Sequence, residues 1–236
     1  MTSTAASSTS PPSAIVGLTL TRGDLEKRLA EASAPLLFDG CDLEGADLSR
    51  LDLSGCEFHN CALMEASLYA AGLARTTWRR CRGRQADFES ADLVDAQFHS
   101  CDLNNATWRR AKLASALFKG CKLTGANFEE IGHLGLTFDD SLLVGADLRK
   151  LSFRKQQLQQ LDFSDADLSG CDFRDAVFHG GSLRNAHLKL ARFDGADLRE
   201  TEIGGLKLLD ARLFQGATIS HRQAAELLGE LGLIVA

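Results

Sequence analysis

The stretch "CDLEGADLSRLDLSG", residues 41–55, places a leucine at positions 43, 48 and 53. A spacing of five matches neither the 3.6-residue period of an α-helix nor the two-residue alternation of a β-strand. Followed outward, every fifth residue from Phe38 to Leu213 is Leu, Phe, Trp or Ile, with Gly83 and His133 as the two exceptions. One register held over so much of the chain predicts a repeat architecture.

A second regular position, usually occupied by a small residue, lies two residues before each large one. Examples are Cys41, Ala46, Cys56 and Ala66. The remaining three positions of each five are mostly polar. A helix would spread such a pattern around its circumference, and a flat strand would place it on alternating faces. A backbone that turns a corner every five residues would instead bury one large and one small side chain per side.

Four such sides make a coil of twenty residues, and the sequence also has this longer period. We call residues spaced twenty apart a column. One column is almost wholly aromatic: Phe38, Phe58, Trp78, Phe98, Phe118, Phe138, Leu158, Phe178 and Leu198. Another contains five cysteines in succession, from Cys41 to Cys121. Like residues that stack at a fixed period predict a solenoid, here an all-β coil of about nine turns over residues 36–217.

Copies such as "GADLS" (45–49), "TGANF" (124–128) and "DGADL" (194–198) resemble the repeats of the pentapeptide-repeat family. The resemblance covers about residues 36–216 and implies a right-handed quadrilateral β-helix. Around His133, the small positions hold Ile131 and Leu136. The segment "EEIGHLGLTF" (129–138) is therefore predicted to bulge outward as a loop.

The flanking segments divide the chain further. Residues 1–13 are rich in Ser, Thr, Ala and Pro and are predicted to be a disordered tail without a signal peptide. Residues 14–35 are predicted to form a strand and a helical cap that begins at Thr21, with Asp24 as its reciprocal partner. Residues 218–236 are predicted to form a helix capped by Ser220 and a strand over 233–235. The absence of a long apolar run favours a cytoplasmic protein without a membrane contact.

Composition and motifs argue against catalysis and cofactors. All seven cysteines fall on the small inward positions, where packing explains them better than metal binding or disulfide formation. No phosphate-binding loop or nucleophile motif is present. The formal charge of −6 disfavours direct nucleic-acid binding. We therefore expect no enzyme activity, no cofactor and no metal.

The C-terminal sequence "QAAELLGELGLIV" (223–235) is similar to the terminal helix and strand of the Qnr-type quinolone-resistance proteins and their relatives. That resemblance implies a homodimer joined through the C-terminus. The dimer contact would then be formed by Ala224, Leu227, Leu228, Leu231 and Leu233. The residues alone also allow the simpler interpretation that the helix caps the end of a monomer.

The same resemblance implies a DNA mimic that binds DNA gyrase or topoisomerase IV and modulates its response to poisons such as fluoroquinolones. Nine coils at about 4.8 Å each would give a rod of about 43 Å, close to about 13 base pairs. The candidate acidic face is the outward column containing Asp47, Asp87, Asp147 and Asp167. A second set of candidate contacts surrounds the predicted loop: Glu129, Glu130, His133, Asp139 and Asp140.

Two alternatives remain open at this point. Aspartates that precede a large residue could hydrogen-bond nearby turns instead of imitating phosphates. The cluster Arg75, Arg79, Arg80, Arg82 and Arg84 could be the contact of a scaffold or effector that binds a different protein partner.

Overall fold

The computed structural model describes residues 14–205, 212–230 and 232–235. They form a parallel β-solenoid with one short helix near each end. Nine strands follow one another in sequence order within a single parallel sheet, which is one wall of the coil. In chain order the elements are β1 (Ala14–Val16), α1 (Arg22–Glu31), β2 (Leu37–Asp39), β3 (Glu57–His59), β4 (Thr77–Arg79), β5 (Gln97–His99), β6 (Leu117–Lys119), β7 (Thr137–Asp139), β8 (Gln157–Gln159), β9 (Val177–His179) and α2 (His221–Glu230).

Each five-residue unit forms one straight side and one corner, as residues 41–45 illustrate. Cys41 and Leu43 point inward and are each 1% exposed, whereas Asp42 between them faces outward. A turn then leads the chain around the corner onto the next wall, closed by the bond from the Ala46 N–H to the Leu43 carbonyl at 3.1 Å. Gly45 has φ +62°, a conformation that glycine adopts at little steric cost. The period of five is therefore the length of one side plus its turn.

The interior is formed by the predicted columns. Phe38, Phe58 and Trp78 stack in parallel, with ring centroids 4.9 and 4.0 Å apart, and the stack continues through Phe98. All seven cysteines are buried free thiols, as predicted. At the exception Gly83, a Cβ would lie 3.1 Å from the Leu103 side chain, so a neighbouring coil fills that space.

The described coil makes about eight turns, one fewer than the sequence period predicts. The predicted last turn includes residues 206–211, which lie outside the described residues. Adjacent coils are joined by in-register parallel bridges on the other walls as well, such as Asp42 with Ala62 and Asp52 with Gly72.

The predicted loop over 129–138 is wrong, because this segment continues the regular coil. Gly132 bridges Lys112, and the Thr137 N–H donates to the Ala116 carbonyl at 3.0 Å. The irregularity appears instead between this coil and the next one. There β7 and β8 pair only at Asp139 and Gln159. We call residues 131–138 together with 151–158 the seam.

Oversized residues at inward small positions explain the seam. Leu136 and Gln156 occupy a column in which other coils have Ala96 or Ala116. The Gln156 side-chain amide donates to the Leu136 carbonyl at 3.4 Å. In the preceding coils the equivalent carbonyl accepts a backbone N–H, whereas in the described chain the Gln157 N–H makes no such bond to Leu136. Extra side-chain volume is therefore accommodated by a local separation of two coils.

The N-terminal helix covers the first coil. Thr21 and Asp24 form the predicted capping box at the start of α1. Leu25 is 1% exposed, and Leu29 and Ala32 pack against the core. Strand β1 pairs with β2 in register, which places Ile15 over Phe38. The open end of the coil is thereby closed by both a strand and a helix.

The C-terminal helix is anchored by a buried glutamine. The Gln223 side-chain oxygen Oε1 accepts the Ser220 N–H at 2.6 Å, as the predicted cap requires. Its amide donates to the Leu198 and Thr201 carbonyls, both at 2.6 Å. This side chain therefore satisfies acceptors of the last coil that have no further coil to bind.

The strand predicted over residues 233–235 is not formed, because no neighbouring strand lies beside them in the described chain. The predicted tail, residues 1–13, and the proposed contact residue Leu231 lie outside the described residues. Neither of the described helices is long and apolar enough to cross a bilayer.

Candidate functional site

The solenoid aligns the four candidate aspartates on one outer wall. Parallel bridges connect successive coils along this column: Asp47, Ser67, Asp87, Thr107, Asn127, Asp147 and Asp167. The first and last of these residues are six coils apart, which is about 29 Å at a strand spacing of about 4.8 Å. Residues 120 positions apart in the sequence thus lie in one straight line. We call this set the acidic column.

Each of the four aspartates also holds the turn that follows it. One carboxylate oxygen accepts the backbone N–H two residues further along the chain. The donors are Ser49 at 2.9 Å, Glu89 at 2.8 Å, Arg149 at 3.2 Å and Ser169 at 2.9 Å. The carboxylates therefore have a structural role in the turns, which limits but does not abolish their exposure: the side chain of Asp47 is 59% exposed and that of Asp167 is 38% exposed.

Cations from the neighbouring column neutralise part of this wall. The Arg149 guanidinium binds Asp147 through Nε at 2.8 Å and also lies 3.3 Å from Glu129 and 3.8 Å from Asp167. Arg109 likewise lies 3.3 Å from Glu129. The wall is thus a ladder of alternating charges rather than a continuous acidic surface.

A local sequence feature that the five-residue period does not reveal predicts these ion pairs. An arginine two residues after the aspartate folds back onto it, as in Asp147 with Arg149, Asp172 with Arg174 and Asp197 with Arg199. Where serine or glutamate follows instead, as after Asp47 and Asp87, this pairing is absent from the described chain. An arginine two residues after an aspartate therefore marks a neutralised carboxylate, whereas the absence of that arginine does not mark a free one, since Asp47 is paired with Arg22 of α1 instead.

Two carboxylates of the acidic column have depressed pKa values. Hydrogen bonds from the Ser49 side chain and backbone, together with the charge of Arg22, hold the pKa of Asp47 below its ordinary value. Burial raises the pKa of Asp147, but the hydrogen bonds and charge of Arg149 outweigh that effect and lower it overall. Both groups are therefore ionised at neutral pH.

The candidate loop contacts are only partly brought together. Glu129, Glu130 and His133 line a small surface cavity of about 140 Å³ beside the seam, together with Arg149 and other residues. Asp139 and Asp140 do not line this cavity. Asp139 lies at the end of β7, where the Lys119 Nζ donates to it at 2.7 Å.

The candidate dimer residues divide into anchoring and exposed groups. Leu227 packs partly against the core, and Ala224 is half-buried. Leu228 is 37% exposed and Leu233 is 55% exposed. The sequence analysis left out two further exposed apolar residues, Ile234 and Val235. We call the exposed set Leu228, Leu233, Ile234 and Val235 the apolar strip.

Within the described part of the chain, no group of three or more His, Cys, Asp or Glu side chains has a geometry that could hold a metal ion. Burial raises the pKa of the Cys171 thiol to about 12, which leaves it protonated and unreactive.

These features define a class of protein: a parallel β-solenoid with five-residue sides, a packed interior and polar outer columns. The chain belongs to the pentapeptide-repeat family. The family model described as "Pentapeptide repeat region" matches residues 35–108 and 51–128, and the model "Pentapeptide repeats (8 copies)" matches residues 137–175 and 171–208. A comparison with curated proteins finds no match.

Solved structures support the fold assignment. Full-length QnrB1, a plasmid-mediated fluoroquinolone resistance protein, is 23% identical, and the alignment covers 94% of this chain and 98% of QnrB1 with a TM-score of 0.61. A trypsin-treated QnrB1 variant is 21% identical over 95% of this chain and 98% of its own, with a TM-score of 0.59. HetL, a pentapeptide repeat protein involved in heterocyst differentiation regulation in Nostoc, is 21% identical over 85% and 91% of the two chains, with a TM-score of 0.36. The likeness to the two QnrB1 structures, at 21–23% identity, concerns the fold alone.

Proposed function

We propose that this protein binds DNA gyrase or topoisomerase IV as a DNA mimic and modulates the response of the enzyme to poisons such as fluoroquinolones. The observation that carries the proposal is the acidic column, which aligns carboxylates along a straight rod. From Asp47 to Asp167 the column contains four carboxylates and no cation. Outward carboxylates aligned along a rod attract a basic surface built to receive phosphates.

The dimensions agree with this proposal. About eight turns at about 4.8 Å each give a rod of about 38 Å, comparable to about 11 base pairs of duplex. The similarity to QnrB1 extends over nearly the whole of both chains. A homodimer joined through the apolar strip, which we propose as the working assembly, would double the length of the rod. The proposal places the protein in the cytoplasm, where its target enzyme acts.

Not every carboxylate of the column contributes equally under this proposal. Asp147 forms an ion pair with Arg149, and Asp47 forms one with Arg22, whose nitrogen lies 3.3 Å from the Asp47 carboxylate oxygen. Asp87 has no ion pair within the described chain, and the nearest cation to Asp167 is Arg149 at 3.8 Å. We therefore propose that Asp87 and Asp167 make the main electrostatic contribution.

The test is a supercoiling assay with purified gyrase, run with and without a fluoroquinolone. Inhibition in the absence of drug, or rescue of supercoiling in its presence, is the expected result. No effect under either condition, repeated with topoisomerase IV, would contradict the proposal while leaving the fold unaffected.

A pair of variants separates charge from turn structure. Asp87→Asn with Asp167→Asn retains an oxygen that can accept the turn N–H but removes both charges. We expect the effect on gyrase to fall by about tenfold, with unchanged thermal stability. The matched control is Asp52→Asn with Asp92→Asn, which removes two turn aspartates from another wall. Equal losses in both double variants would rule out the acidic column as the contact.

A further inference from the structure

Four arginines surround one corner of the rod, at the end of β4. Arg79, Arg80, Arg82 and Arg84 are all exposed, because the intervening Cys81 and Gly83 point into the core. Four cations thus project from six consecutive residues. We call this set the basic corner.

Two of these side chains are held in fixed orientations. The Arg80 Nε donates to the Asn60 side-chain oxygen at 2.9 Å, and the Asn60 amide donates to Asp39 at 2.7 Å. The Arg84 Nε donates to Asp102 at 2.8 Å. Both bonds use Nε, and the terminal nitrogens of the two guanidinium groups have no hydrogen-bond partner among the described residues. An oriented guanidinium loses less entropy when it binds a ligand than a freely rotating one does.

The other two arginines have no carboxylate within ion-pair distance among the described residues, although Asp102 bridges Arg82 on the next coil. Arg79 and Arg82 form no ion pair within the described chain, in contrast to Arg149, Arg174 and Arg199 on other walls. The pKa of the neighbouring His99 is lowered in this environment. Burial lowers its pKa first, and the charges of Arg79 and Lys119 lower it further. The basic corner is therefore a local region of excess positive charge on an acidic protein.

The length of this region limits the ligand it can take. In the column that contains Arg79, the cationic or imidazole side chains run from His59 to Lys119, with Asp39 before them and Asp139 after them. Three coil spacings give about 14 Å between the first and last of these residues. A duplex lying along the rod would extend past both ends and meet carboxylates, whereas a short acidic peptide would not. Guanidinium groups also bind carboxylates in a bidentate manner.

We propose that the basic corner binds a short segment rich in Asp and Glu on a partner protein. This interaction goes beyond the proposed binding to a topoisomerase, because it uses cations on a different wall from the acidic column. The two sites can therefore be disabled independently.

The test uses a fluorescein-labelled tetraglutamate peptide, which spans about 13 Å when extended, and measures fluorescence anisotropy at two salt concentrations. The variant Arg80→Glu with Arg82→Glu should weaken binding by at least about tenfold. The control Arg184→Glu with Lys189→Glu reverses two exposed charges about five coils further along the rod. It should change the affinity by less than about twofold. Far-UV circular dichroism of each variant checks that the fold is retained.

A duplex of 16 base pairs serves as the competing probe. Equal peptide affinity in the wild type and the Arg80→Glu, Arg82→Glu variant would overturn the proposal. So would tighter binding of the duplex than of the peptide with the same dependence on Arg80 and Arg82, since that result would identify a nucleic-acid site. Supercoiling assays on the same variant should show unchanged activity towards gyrase.

Discussion

At the scale of single residues, the fold depends on a left-handed backbone at its corners. Positive φ values recur at every fifth position over much of the coil, at glycines such as Gly45 and at larger residues such as Arg50 and Leu190. For residues with a Cβ this conformation costs about 1–2 kcal/mol. Since glycine escapes that cost, the larger residues at corners are positions where the sequence is not optimal for stability.

Leu190 offers a direct test. It has φ +62° and is 74% exposed, so its side chain contributes little packing. We expect Leu190→Gly to raise the free energy of unfolding by about 0.5–1 kcal/mol, because relief of the backbone strain exceeds the entropy cost of glycine. Urea denaturation followed by circular dichroism would measure the change.

The reverse substitution at an equivalent corner is the control. Gly145 has φ +63°, and an added Cβ would meet no atom within 4 Å. Gly145→Ala should therefore destabilise the protein through backbone strain alone. If Leu190→Gly proved destabilising while Gly145→Ala did not, the assignment of strain to the corners would be wrong.

The sequence allowed the inward residues to be predicted but not the contacts among the outward ones. The period of five specifies which side chains are buried, because burial repeats with the backbone. Ion pairs such as Arg149 with Asp147 depend on how a long side chain folds over a turn, which the period does not specify. The role of Gln223 as a cap for the last coil also escaped prediction, because it depends on where α2 packs against that coil.

At the scale of structural elements, the seam shows why the predicted loop does not form. An outward loop needs extra residues, but the register of five is unbroken through residues 129–138. The segment therefore has no additional residues from which to form a loop outside the coil. The large side chains Ile131, Leu136 and Leu151 remain buried, and the coils separate to make room for them.

The seam should be the first part of the coil to open. Within the described chain, the N–H groups of Ser152 and Gln157 have no backbone acceptor, whereas those of their equivalents Lys112 and Leu117 donate to backbone carbonyls at 2.9 Å in an earlier coil. We expect amide hydrogen exchange at Ser152 and Gln157 to be at least about tenfold faster than at Lys112 and Leu117. Exchange measured by mass spectrometry or NMR would test this expectation.

A repair variant extends the test. Gln156→Ala places a small residue in a column that already contains Ala116 and Ala176, which should allow the coils to close and slow exchange at residue 157. The control Gln157→Ala changes an exposed, outward residue and should leave the exchange of Ser152 unchanged. Uniform exchange across all coils in the wild type would show that the seam has no energetic consequence.

At the scale of the whole molecule, the two ends of the rod are finished differently. The N-terminal end is closed by β1 and α1, whereas the C-terminal end leaves the apolar strip exposed. Burial of these side chains would contribute about 25 cal/mol per Å² of apolar surface. We expect the rod to dimerise through this end, with residues 233–235 pairing as strands only in the dimer.

Leu228→Asp should convert the dimer into a monomer, because it would bury two charges in the joined apolar surface. Light scattering coupled to size-exclusion chromatography would measure the mass. Leu134→Asp is the matched control, since Leu134 is 86% exposed on the side wall and should not affect assembly. A monomeric wild type, or an unchanged dimer in Leu228→Asp, would refute dimerisation through the apolar strip.

The overall architecture was the most predictable feature of this protein, and the functional surface was the least. A period that repeats along most of the chain determines the coil, the position of its core and its approximate length. The acidic column was also predicted as a line of residues, yet its neutralisation by Arg22 and Arg149 became visible only in three dimensions. Local charge balance depends on contacts between columns, and a one-dimensional period carries no information about them.

The constant register between coils also has a genetic consequence. An in-frame duplication or deletion of the DNA that encodes one coil would lengthen or shorten the rod by one step of about 4.8 Å. Because one coil is twenty residues, the residues on both sides of the junction would remain on the same walls as before. The stacked inward side chains would therefore continue across the junction. We therefore expect recombination within such a gene to change the length of the rod while the fold is retained.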